Sequence, residues 1–343
     1  MKNRLVWALL MLVVLIVINV IKTPTFLQIE LKDGHLFGSL IDILNRAAPL
    51  ILISIGMTLV IATKGIDLSV GSVVAIAGAV ACLFVSQHES GDSTVSTMFT
   101  AIGLALILSL VAGVWNGLLV SAIGIQPIVA TLILMVAGRG LAQLITGGQI
   151  ITVSMKPYSF IGAGYLAGLP FSIFIAAGIF IIALLLTRKT ALGMFIESVG
   201  SNPEASRLSG IYAKSVIWIV YIFCGLCAGI AGLILSSNVS SADGNNAGLW
   251  YELDAILAVV IGGTSLNGGR FYLLGTVIGA LIIQTLTTTI YSIGVPPEIT
   301  LVVKAFVVLI VCLVQSDNFR KKISYLAKNR SKARQAAKKE VSA

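Results

Sequence analysis

Residues 47–71 read Ala47-Ala-Pro-Leu-Ile-Leu-Ile-Ser-Ile-Gly-Met-Thr-Leu-Val-Ile-Ala-Thr-Lys-Gly-Ile-Asp-Leu-Ser-Val-Gly71. From Ala47 to Thr63 the stretch carries no charge, and its length falls within the about 17–25 residues with which a helix crosses the hydrocarbon core of a bilayer. Similar apolar runs recur at about 5–21, 68–86, 101–123, 127–146, 171–187, 215–236, 253–266, 272–291 and 299–315, ten in all. Hydrophobic residues make up 57% of the 343 residues and charged residues 11%, against about 45–50% and about 25% in soluble domains. Little of the chain is left over for a soluble domain. The runs are rich in Gly, Ala and Leu and lack the ten-residue alternation of a membrane barrel, so helices are how this backbone satisfies itself in lipid. The expected fold class is all-α, a polytopic membrane protein of about ten transmembrane helices over residues 1–316, followed by a basic tail at 317–343.

Charge sets the orientation. An even number of spans puts both termini on one side. Lys2 and Arg4 stand at the front, and the tail holds nine Lys and Arg against Asp317 and Glu340, +7 of the formal +9. Basic residues beside a span mark the cytoplasmic side and can touch anionic lipid, so both termini are expected in the cytoplasm. That bias explains the tail without nucleic acid. Loops 22–46, 87–100, 237–252 and 292–298 are then external and mostly acidic, while internal loops carry Lys64, Arg188, Lys189, Arg207, Lys214 and Arg270. The first run exceeds the about 7–15 residues of a secretory-signal core and no Ala-x-Ala-like site follows Val20, so it is expected to stay as a helix.

Runs two to five and seven to ten cross in opposite directions on this topology, which suggests an inverted repeat. G-x-x-x-G occurs at Gly113/Gly117, Gly225/Gly229 and Gly275/Gly279, where small residues let helices approach closely. Cys224-Gly-Leu-Cys227 has the spacing of a redox or zinc site, but no second pair or nearby His accompanies it, and Gly225 with Gly229 makes the same stretch a close-packing face. His35 and His88 are isolated. Neither disulfide, metal nor cofactor is expected.

Two Gly-rich segments interrupt the apolar pattern. Gly65-Ile66-Asp67-Leu68-Ser69-Val70-Gly71 reads either as a turn in which Asp67 caps the third helix or as a broken segment lining a pathway. Gly262-Gly263-Thr264-Ser265-Leu266-Asn267-Gly268-Gly269-Arg270 has the glycine spacing of a phosphate loop, yet Gly269-Arg270 stands where Lys and Ser/Thr are required, so it is no nucleotide site. It reads as a gate, a pathway wall or an interhelical turn. Ionisable groups within the runs are scarce. Lys304, about 9 Å into the last run at about 1.5 Å per residue, can snorkel to the external surface, and Arg139 has no partner evident in the sequence. Asn116, Gln143, Thr264, Ser265, Asn267 and Gln284 are neutral, suited to an uncharged hydroxylated solute or simply to interhelical bonding. Asp67, Ser69, Asn116, Thr264, Ser265 and Asn267 are the candidates for a substrate pathway or gate.

The loop between the sixth and seventh runs contains Asn202-Pro-Glu-Ala-Ser-Arg-Leu-Ser-Gly-Ile211. It resembles the cytoplasmic coupling loop of ABC-importer permeases, although the later Ile and Leu-Pro of that pattern are absent. Taken with Gly65–Gly71, Asn116-Gly117, Pro127-Ile-Val-Ala-Thr131-Leu132, Arg139-Gly140, and Glu252-Leu-Asp-Ala-Ile256 running into Gly262–Gly269, it makes residues 47–315 similar, in order, to the ribose-type monosaccharide permeases of bacterial ABC importers. Within that family the chain resembles the galactofuranose type. The resemblance implies a multi-pass inner-membrane subunit that translocates a monosaccharide and hydrolyses nothing itself. It implies three partners: a periplasmic sugar-binding protein, an ATPase with two fused nucleotide-binding domains and a second, related permease chain. It also implies coupling to the ATPase through Glu204, Ala205, Ser206, Arg207 and Gly210. An ion-coupled secondary carrier is the alternative and would need an intramembrane acid relay, which the runs do not offer; a membrane enzyme would need a nucleophile, base or metal cluster, and none is visible.

Overall fold

The computed structural model describes residues 2–309 apart from 33, 89–94, 295, 297, 298, 300, 307 and 308. The tail at 317–343, Cys312 and the end of the tenth run lie outside the described residues. The chain starts with α1 (Lys2–Lys22) and a hairpin of β1 (Glu30–Lys32) and β2 (His35–Phe37), then α2 (Ser39–Ala62), α3 (Val70–Gln87), α4 (Val95–Leu118) and α5 (Pro127–Thr146). β3 (Ile150–Thr152), α6 (Lys156–Ala163) and the short pair β4 (Tyr165–Leu166) and β5 (Leu169–Pro170) precede α7 (Phe171–Lys189), α8 (Leu192–Ser201) and α9 (Pro203–Leu208). The last part holds α10 (Ala213–Asn238), β6 (Ser241–Asp243), α11 (Tyr251–Ile261) and α12 (Leu273–Ser292).

Among the described residues, eight helices are long and apolar enough to cross a membrane: α1, α2, α3, α4 with its π-helical extension to Ile123, α5, α7, α10 and α12. The eighth run departs from expectation. Its helix, α11, has 11 residues, about 16 Å against a core of about 30 Å, and turns at Gly244–Trp250 lead into it. Of the tenth run, residues 301–306 are helical.

The most buried span is α2, buried at every residue from Ala47 to Ala62, whereas α1, α5 and α7 are mostly unburied and present apolar side chains outward. That is the layering of a bundle whose outer helices meet lipid or another subunit, since a helix apolar on every face has no side suited to water. Lipid gives helices no hydrophobic reason to associate, so packing rests on small residues and interhelical bonds. The first two G-x-x-x-G pairs face one another. A Cβ on Gly225 would fall 2.7 Å from the Ser109 carbonyl of α4, and one on Gly113 would fall 2.8 Å from the Tyr221 carbonyl of α10. Gly275 and Gly279 lie against Gly262 and Ala258, closing α12 onto α11. Cys224 also sits at a close approach, its Cα 2.9 Å from where a Cβ on Gly56 would stand, and Cys82, Cys224 and Cys227 are buried free thiols. Thr58 to Thr276 (2.8 Å) and Asn19 to Thr289 (2.6 Å) add bonds across α2, α12 and α1.

Contacts sort the connections into two faces. On one, β3 pairs antiparallel with β6, Ile150 opposite Asp243, and Leu36 N–H bonds the Gly168 carbonyl at 2.8 Å. On the other, Lys64 Nζ donates to the Ser201 carbonyl at 3.0 Å and Gly269 N–H to the Ala62 carbonyl at 2.8 Å. Connections 22–46, 147–170 and 237–252 thus share one face, and 64–69, 188–214 and 262–271 the other.

Candidate functional site

Two features stand out against the regular spans: a pair of irregular segments that touch one another, the first buried between helices and the second partly exposed, and a short helix on the bundle surface. The first break follows α2. Ser69, not Asp67, is the cap residue of α3, and it makes no side-chain cap bond. The buried Asp67 carboxylate accepts instead from Ser69 N–H (3.0 Å) and Ser69 Oγ (2.6 Å). Asn116, near the end of α4 and 1% exposed, donates to Ser69 Oγ at 2.7 Å and weakly to Asp67 at 3.4 Å. From α5, Thr131 Oγ1 accepts from Leu68 N–H at 3.1 Å and donates to the Ile66 carbonyl at 3.2 Å. Irregular backbone is tolerated at such depth when neighbouring helices satisfy its polar groups, and here α4 and α5 do so. The Asn116 Oδ1 and Tyr221 hydroxyl at this knot have no protein partner.

The second break lies at 244–250, in a loop that charge alone assigned to the outside. Asp243 holds its first turn, accepting from Asn245 N–H at 2.8 Å and Asn246 Nδ2 at 2.8 Å. Burial acts to raise the Asp243 carboxyl, but the bonds from Asn246 and from the Asn245 and Asn246 backbone, with the charge of Arg139, hold it below its usual range. Arg139, which had no evident sequence partner, reaches from α5 to the Ala247 carbonyl at 2.6 Å and the Gly244 carbonyl at 3.4 Å. The two breaks touch: a Cβ on Gly71 would fall 2.5 Å from the Gly248 carbonyl and into the Glu252 carboxylate. Only glycine at both positions permits that approach.

Asp67, Ser69 and Asn116 are thus brought together, while Thr264, Ser265 and Asn267 are elsewhere. The 262–269 segment is the turn from α11 to α12, with Thr264 Oγ1 accepting from Tyr272 N–H at 3.1 Å. Gly268 and Gly269 lie against Lys64 and Gly200–Ser201 on the second face, and Ser265 and Asn267 are exposed there. Lys304 does not snorkel to the surface. Its Nζ pairs with Asp254 of α11 at 2.8 Å, both side chains nearly buried. Together with Asp67 and Glu252, Asp254 gives the bundle interior more acid than the runs suggested.

The surface helix is α9, six residues long because Asn202 starts it and Gly210 ends it. Asn202 Oδ1 accepts from Glu204 and Ala205 N–H, 3.1 Å each, Pro203 occupies the first helical position where a missing N–H costs nothing, and Gly210 turns left-handed at φ +83°. Ser206 alone faces inward, its hydroxyl 2.8 Å from Ser198 of α8. Glu204 and Arg207 pair loosely at 3.4 Å, both about three-quarters exposed, and Ala205 is exposed. Two neighbours the sequence reading passed over, Leu208 and Tyr212, are 85% and 83% exposed. Leu208 and Tyr212 thus hold apolar surface out beside the charged turn of α9.

Among the described residues, eight helices long and apolar enough to cross a membrane, with a buried break between two of them and a short exposed helix on one loop face, make this a polytopic membrane protein. The family described as branched-chain amino acid transport system / permease component matches residues 39–312, and the chain belongs to it. It is a permease subunit of an ABC transporter, multi-pass in the inner membrane, and ATP hydrolysis resides on a separate subunit. Family membership implies an ATPase and a substrate-binding subunit as partners. The chain is 53% identical over 323 residues to the galactofuranose transporter permease protein YtfT of Escherichia coli (strain K12), covering 93% of each chain. It is 41% identical to the fructose import permease protein FruF of Bifidobacterium longum (strain NCC 2705), over 100% of this chain and 96% of that one. It is 37% identical to the ribose import permease protein RbsC of Escherichia coli (strain K12), over 90% and 92%. No solved structure matches it.

Proposed function

We propose that this chain carries a monosaccharide of the galactofuranose kind across the bacterial inner membrane, paired with a second, related permease and fed by a periplasmic sugar-binding protein. Both termini are cytoplasmic, with the basic tail at the lipid surface. The observation that carries the mechanism is α9: a capped helix projecting between two spans, joined to the 26-residue α10 by four residues. An ATPase with two fused nucleotide-binding domains seats Glu204, Ala205, Arg207 and the exposed Leu208, while Ser206 and Gly210 hold the helix in its orientation. Closure of the ATPase on ATP moves α9 and, with it, α10.

Asp67, Ser69 and Asn116 form the gate in this reading, because they lock the break between α2 and α3 where α4, α5 and α10 meet. Thr264, Ser265 and Asn267 act at the cytoplasmic mouth, where their turn rests on Ala62 and Gly200. The galactofuranose assignment is supported by the 53% identical relative, and the runners-up are the fructose and ribose of the others. Purification of the native complex tests the reading. An ATPase, a binding protein and a second permease chain are expected to co-purify, and in liposomes D-galactose, through its furanose form, is expected to stimulate hydrolysis more than D-ribose or D-fructose. Stimulation by L-leucine and by no sugar would refute the substrate class.

A further inference from the structure

The outer half of the bundle contains a cavity of about 400 Å³ between α2, α10, α11, α12 and residues 301–306, within the about 300–1,000 Å³ usual for small-molecule sites. Its polar lining comes from separate segments: Asn45 and Arg46 of α2, Asp254 of α11, Gln284 and Thr287 of α12, and Lys304. Polar and ionisable groups inside spans are costly and concentrate where a ligand or ion passes. Pro49, also in the lining, has no N–H, which leaves the Asn45 carbonyl without its usual helical donor. Trp250, Tyr251 and Tyr291 add aromatic surface, and Trp250 is held left-handed at φ +67°, a strained conformation for a non-glycine residue that gathers at functional sites. Asp254 and Lys304 cancel each other's charge across the wall.

We infer that this cavity binds a neutral monosaccharide on its way inward, the sugar's C–H face against the aromatic rings and its hydroxyls bonded to Gln284, Thr287 and the Asp254–Lys304 pair. Amide, hydroxyl, carboxylate and ammonium together supply both donors and acceptors, as a ring of hydroxyls requires, and the Arg46 guanidinium adds further donors. The inference rests on the permease reading above.

The test uses the assembled complex in liposomes with a Leu249→Cys reporter, Leu249 being an apolar residue of the cavity wall, and an impermeant maleimide added from outside. Millimolar D-galactose, D-ribose or D-fructose is expected to slow labelling several-fold, and Gln284→Leu or Asp254→Asn in the same background to abolish that protection; Gln284→Leu leaves the ion pair intact should Asp254→Asn assemble poorly. Sugar-stimulated hydrolysis by the unsubstituted complex, with no protection of Leu249→Cys by any of the three, overturns the cavity and leaves the transport reading standing. Protection by L-leucine or D-galacturonate alone also overturns it. Absence of sugar stimulation in the unsubstituted complex sinks both.

Discussion

At the scale of single residues, the least replaceable groups are those whose partners lie far along the chain. Lys304 and Asp254 are 50 positions apart and nearly buried, so removing one charge strands the other. Lys304→Met is expected to destabilise the bundle by about 3–5 kcal/mol, most of it recovered when Asp254→Asn is added; melting followed in detergent checks both. Asn116 is a different case. Its amide closes the Asp67 break, so Asn116→Leu is expected to cost about 1–3 kcal/mol of stability and to make hydrolysis less dependent on sugar. Lowered melting with sugar dependence intact would assign Asn116 to packing and remove it from the gate. Neither partnership was legible in the sequence: Arg139, Asp254 and Lys304 are isolated letters in apolar runs, and only the fold supplies what they touch.

At the scale of elements, α9 is the part most exposed to test. Its Glu204–Arg207 pair lies in solvent and contributes little to stability, and Leu208 contacts little of its own chain. Leu208→Asp is therefore expected to leave insertion and melting unchanged while co-purification of the ATPase falls at least tenfold; undiminished co-purification would make α9 an ordinary connection. This helix was readable beforehand, because Asn-Pro-Glu at a helix start and Gly at its end are local chemistry. The long spans were readable for the same kind of reason, hydropathy being a property of each run by itself. The second break was not. Gly244-Asn-Asn-Ala-Gly-Leu-Trp250 is as polar as any external loop, and what draws it inward is the Arg139 guanidinium from α5 and the glycine-to-glycine contact with Gly71. The Gly262–Gly269 segment, open in the sequence between a gate, a pathway wall and an interhelical turn, forms the turn from α11 to α12, with Gly268 and Gly269 packed against Ala62, Gly200 and Ser201.

At the scale of the whole molecule, connections that meet one another must lie on one side of the membrane. Asn245→Cys is expected to react with an impermeant thiol reagent applied from the periplasm and Ser201→Cys only after the membrane is opened; periplasmic labelling of Ser201→Cys would invert or break the topology. The ladder between β3 and β6 pins the far end of α10, whereas its near end is joined to α9 by four residues and rests among α2, α4 and α8. A helix of 26 residues is about 39 Å long at about 1.5 Å per residue. Pivoting it by about 5° from the pinned end displaces the other by about 3 Å, a large fraction of the width of a sugar ring. On the coupling proposed for α9, the lever would be long because the chain crosses here in one unbroken rod, and a small rotation at the nucleotide-binding partner would supply its stroke.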